Sequence, residues 1–105
     1  MSQYLEEVTF IFQKYCDEYK RLFLPGQNDG AVADSLVSFY KKYHSLEVLE
    51  KSIKYYVENT NEPILIYNFA IESSKIREHI VSEMEIQENF NKLVQQTKER
   101  MERFK

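Results

Sequence analysis

The chain has 105 residues, 43% of them hydrophobic and 30% charged, which suits one globular domain and excludes a disordered chain. Fourteen Lys and Arg stand against 17 Asp and Glu, for a net charge of −3. Nucleic-acid binders need clustered cations to displace the counterions held by phosphates, so this balance argues against a nucleic-acid partner. The single cysteine, Cys16, excludes an intrachain disulfide and fits a reducing compartment.

The start of the chain carries Glu6 and Glu7 where a signal peptide has a basic region followed by an apolar run. The longest apolar stretch, Ile64 to Ile71, is too short to span a bilayer. The expected setting is therefore cytoplasmic or nuclear, without a membrane span. Only two glycines and two prolines occur, and three of these four residues lie between Pro25 and Gly30. Such scarcity leaves few breaks and predicts long helices.

The first predicted helix covers about 2–24. Tyr4, Val8, Ile11, Tyr15, Tyr19 and Leu22 recur at helical steps, and Leu5, Phe12 and Phe23 widen that face. Glu6 and Glu7 open it, and Lys20 and Arg21 close it, as the helix dipole favours. Leu24 to Gly30 reads as a loop. Its Asp29-Gly30 pair has too few oxygen ligands for a calcium site.

The second helix covers about 31–58, with Leu36, Tyr40, Tyr43, Leu46, Leu49, Ile53 and Tyr56 on one stripe. Glu47 with Lys51 and Glu50 with Lys54 make two ion pairs four residues apart. Ser45 is suited to cap a new helix after a break at His44-Ser45, but one helix, with or without a kink there, is the preferred reading. Asn59 to Pro63 is the second loop, with Thr60 or Asn61 as N-cap and Pro63 in the first turn of the next helix.

The third helix covers about 62–104. The capping-box form Ser82-Glu83-Met84-Glu85 offers a break near 82, although no loop residues precede it. Ile64 to Ile71 is apolar on every face, as a buried strand would be. Because it runs into helical spacing without punctuation, it is read as a buried helical stretch. The fold expected is all-α, an antiparallel three- or four-helix bundle with a long C-terminal helix, forming one domain over 1–105.

No reactive constellation accompanies these helices. His79 and Glu83 are four apart and face one side of a helix, but two groups do not make a metal site. Cys16 sits beside Asp17 and Glu18, whose charge disfavours its thiolate. The chain contains no nucleophile elbow, phosphate-cradling glycine loop or zinc-protease motif. The expectation is a non-enzymatic protein with no catalytic residue, cofactor or metal.

Eight Tyr and seven Phe supply more aromatic surface than a chain of this size usually carries, for either a core or a partner groove. Past Met84 the apolar residues thin to Ile86, Phe90, Leu93, Val94, Met101 and Phe104, which hold nearly a heptad seam among charged neighbours. That seam is the candidate partner site. It suits helix–helix contact with other proteins, or homo-oligomerisation, in an adaptor or small subunit of an assembly. The alternative is a nucleic-acid-associated factor using Lys41, Lys42, Lys51 and Lys54 beside their tyrosines.

Overall fold

The structure, a computed structural model, describes the backbone of residues 2–103 and the side chains of residues 2–98. Four helices succeed one another: α1 (Leu5–Tyr19), α2 (Asp29–Tyr43), α3 (Leu46–Asn59) and α4 (Ile66–Arg103). The architecture is an all-α bundle with a long C-terminal helix. Among the described residues the only extended pairing is one isolated bridge.

Helix α3 packs on α1, α2 and α4, and α2 packs on the same α1 and α4 from the other side. The apolar stripes meet at the centre. Phe12 of α1, with no exposed surface, stacks on Phe23 at 5.6 Å and meets the edge of Phe69 of α4 at 5.5 Å. Tyr56 of α3 reaches the same Phe69 at 5.6 Å. Edge-on and offset aromatic packing of this kind adds about 0.5–1.5 kcal/mol per pair beyond the area it buries.

Helix α1 is shorter than its periodicity implies, ending at Tyr19 rather than near 24. Lys20 turns into the left-handed region (φ 57, ψ 47), and the Arg21 N–H returns to Cys16 O at 2.8 Å, so the last turn is closed. The chain then runs extended. Ile64 N–H donates to Leu22 O at 2.7 Å and Leu24 N–H donates to Ile64 O at 2.9 Å, forming a parallel bridge between Phe23 and Ile64. Leu22, assigned to the helical stripe, is instead exposed. The Arg21 side chain serves α3 rather than α1. Its Nε and Nη2 donate to Val57 O and Glu58 O, each at 3.2 Å, satisfying orphan carbonyls at the end of α3.

The expected helix over 31–58 is two helices. His44 leaves helical geometry, Ser45 is extended, and its Oγ accepts from Val48 N–H at 3.2 Å. That capping bond replaces backbone bonds which a continuous helix would make, so the break is locally compensated. Tyr43 and Leu46, placed on the common stripe, flank the break and are exposed. Asp29 and Gly30, read as loop, form the first turn of α2, and Asp29 Oδ2 accepts from Gly26 N–H at 2.8 Å. Gly30 is needed for close approach: a Cβ there would lie 2.9 Å from Ser2 Cβ.

Of the two expected ion pairs, Lys51 meets Glu47 at 3.3 Å. Glu50 turns to α1 instead, where its Oε1 takes the Tyr15 hydroxyl at 2.9 Å and lies 3.6 Å from Lys14 Nζ.

Helix α4 starts at Ile66, not 62. Thr60 ends α3, and Pro63 precedes the bridge. Nor is the run from Ile64 to Ile71 buried on every face: Ile64, Ile66 and Phe69 are buried, whereas Tyr67 and Ile71 are exposed. The helix continues through Ser82 to Glu85 without a restart. Its 38 residues imply roughly 57 Å of length at about 1.5 Å per residue, and the molecule measures 64 × 30 × 21 Å. The three shorter helices cover only the first half of it.

Candidate functional site

Helix α4 changes character at Met84. Up to that point Ile66, Phe69, Ser73, Ile76 and Ile80 recur every three or four residues and are all buried against the bundle. The same face then carries Gln87 and Asn91, joined by a 3.3 Å side-chain bond, before Val94 returns five full turns past Ile76. Ile86, Phe90 and Leu93 are turned by about a third of a turn from that buried face, on the flank where His79 meets Tyr55 of α3. From Glu85 to Lys98 every side chain is exposed.

Four of the six residues expected at the partner site lie here. Ile86, Phe90, Leu93 and Val94 are 68%, 60%, 62% and 39% exposed, which places them on one open flank of the projecting helix. Met101 lies within α4, but its side chain, like the whole of Phe104, falls outside the described residues. Glu88 and Lys92 approach to 3.7 Å beside the seam, an exposed pair worth little to stability.

A second surface was not legible as a site. Between α2 and α4 runs an open groove of about 580 Å³, whose walls include Leu36, Phe39, Tyr40, Tyr67, Ala70 and Arg77. Arg77 lays its guanidinium over Phe39 at 4.6 Å and Tyr40 at 5.7 Å from the ring centroids. Phe39 lies off the apolar stripe of its helix, so spacing alone did not single it out. Its neighbours Tyr40 and Tyr43 were the available signal, and Phe39 packs on Tyr43 at 5.0 Å.

The reactive residue types are dispersed. Cys16 is wholly buried, and burial first, then Asp17, pushes its thiol up to about 11. A thiol held so far from ionisation is a poor nucleophile at neutral pH. His44 packs against Phe39 and Tyr40, while His79 lies 3.0 Å from Glu83 and against Tyr55. Among the described residues no group of three or more His, Cys, Asp or Glu is placed to hold a metal ion.

Of the four lysines in the nucleic-acid alternative, Lys41 donates to the Tyr4 hydroxyl at 2.9 Å and Lys51 pairs with Glu47. Lys42 lies over the Tyr43 ring at 5.2 Å. Among the described residues no helix is long and apolar enough to cross a membrane. No family model, curated protein or solved structure matches this chain.

Proposed function

We propose that this chain is a non-enzymatic helical module that acts by binding other proteins, as an adaptor or as a small subunit of an assembly in the cytoplasm or nucleus. One observation carries the reading: α4 outruns the bundle and holds Ile86, Phe90, Leu93 and Val94 in solvent at helix-pairing intervals. Exposing these side chains forgoes roughly 1.5–3 kcal/mol apiece relative to full burial, and helix-on-helix docking recovers it. Aromatic and aliphatic anchors of this kind supply most of the affinity where they enter a dry contact.

The test compares the full chain with a chain carrying Phe90→Glu and Leu93→Glu, both used as bait in extract from the source cells. Because both positions are exposed, the two baits are expected to melt at the same temperature. Proteins held by the first and lost by the second, identified by mass spectrometry, support the reading. Identical sets from both baits refute it.

A further inference from the structure

We infer that the groove between α2 and α4 binds a small apolar carboxylic acid of the medium-chain fatty-acid class, its carboxylate on Arg77 and its chain lying toward Tyr67. This site is separate from the α4 seam, which begins at Ile86, beyond the groove.

Charge identifies the head of the ligand. Among the described residues only two Lys or Arg side chains are half-buried, Arg21 and Arg77, and all the others are exposed. Arg21 donates to two backbone carbonyls at the end of α3. Arg77 rests over the Phe39 and Tyr40 rings and makes no ion pair or hydrogen bond among the described residues.

Its own helix supplies no partner. The positions three and four residues away are Ser73, Ser74, Ile80 and Val81, and the adjacent Glu78 projects about 100° around the helix. Across the groove α2 offers rings rather than carboxylates. A guanidinium holds its donors in a planar fork, so contact with a ring occupies its face and leaves an edge for a carboxylate. The Tyr40 side chain, part of the same wall, carries a buried hydroxyl that also lacks a partner. Buried polar groups are as a rule paired, and this wall holds two donors without an acceptor.

Shape identifies the body of the ligand. Ala31 and Ser35 of α2, with Ala70 and Ser74 of α4, are too short to fill the space between the helices. The volume they leave, about 580 Å³, falls within the roughly 300–1,000 Å³ of small-molecule sites. Phe39 and Tyr40 are the last residues of α2 to line the groove, so Arg77 stands at one end of it. Tyr67 lies ten residues back along α4, a reach of about 15 Å. Val32, Leu36 and Ala70 line the way between, and Arg77 is the one charged residue of the lining among the described residues. A single cation balances a single negative charge, which suits a carboxylate better than a phosphate dianion.

Isothermal titration calorimetry of the full chain with decanoate, decanol and decylamine, each below its micellar or solubility limit, tests this. Decanoate is expected to saturate one site and to bind at least about tenfold more tightly than the other two. Arg77→Gln should erase that preference, leaving decanoate and decanol alike. Ser35→Leu with Ser74→Leu should block both compounds, and because both positions are exposed the melting temperature should hold. Should that double variant unfold, Arg77→Gln still decides. In nuclear magnetic resonance spectra decanoate should move amides within 31–40 and 67–77 and leave those from Ile86 to Val94 in place.

Absence of saturable decanoate binding overturns the inference, as do equal binding of the three compounds and a preference that survives Arg77→Gln. Shifts confined to Ile86–Val94 overturn it too. If the wild type binds no decanoate while the double-leucine bait loses captured proteins, the groove is a protein contact instead.

Discussion

The Tyr15 hydroxyl donates to Glu50 Oε1 at 2.9 Å, fastening α1 to α3 at the rim of the core. Burial first, and then this carboxylate, pushes the phenol from 10.0 up to about 12. A raised pKa favours the protonated form in the fold. The contribution is therefore complete below pH 10 and is lost as pH climbs through about 12. Tyr15→Phe should cost about 1 kcal/mol at neutral pH, the worth of one hydrogen bond. Its deficit against wild type, measured by urea unfolding, should shrink steadily across that alkaline range. A deficit that stays constant there shows that Glu50 does not govern the phenol.

Asp34 of α2 organises the start of α1. Its carboxylate accepts from Tyr4 N–H at 2.8 Å, Gln3 N–H at 3.1 Å and the Ser2 hydroxyl at 2.8 Å, while Ser2 Oγ accepts from Leu5 N–H at 3.0 Å. The Tyr4 amide, helped by Ser2 and Gln3, holds this carboxyl below the usual carboxylate range. A depressed pKa stabilises the fold above the ordinary range, and that stability is lost as pH falls through the depressed value. Asp34→Asn should lower the melting temperature at neutral pH, with the gap to wild type closing in acid. A gap that persists in acid refutes the role of the charge.

Lys20 occupies left-handed backbone that disfavours any residue with a Cβ, at a cost of roughly 1–2 kcal/mol. Its side chain is exposed. Lys20→Gly should therefore raise stability by about 1 kcal/mol, read as an upward shift of the thermal midpoint. A fall instead means that the lysine side chain contributes more than the backbone strain removes.

Phe12 and Ile86 differ in environment more than in chemistry. Phe12→Ala empties a site between two aromatic rings and should cost about 3–5 kcal/mol, enough to unfold a marginal domain. Ile86→Ala removes exposed surface and should change the stability of the dilute monomer by no more than about 0.5 kcal/mol. Chemical denaturation of both variants at low protein concentration gives the comparison. Equal losses would mean that the seam is packed within one chain.

Much of the bundle was legible because helical spacing is local. Val8, Phe12 and Tyr15 announce a buried face through intervals that any short window contains, and the same holds for Leu49, Ile53 and Tyr56. The features that spacing misplaces depend on partners far along the chain. Leu22 fits a helical stripe, yet its carbonyl is claimed by the Ile64 amide, which no window around Leu22 includes. The cap at Ser45 was visible as a residue type, but the decision between break and kink lay in how α2 and α3 each settle against α4.

The exposed seam obeys the same division. Apolar spacing alone established that Ile86, Phe90 and Leu93 share a face, because 3.6 residues per turn is a property of the helix itself. Whether that face is core or surface depended on another helix arriving to cover it. The shorter helices run out near Met84, so the turns of α4 beyond it have no neighbour to cover them and tertiary packing leaves the stripe in water.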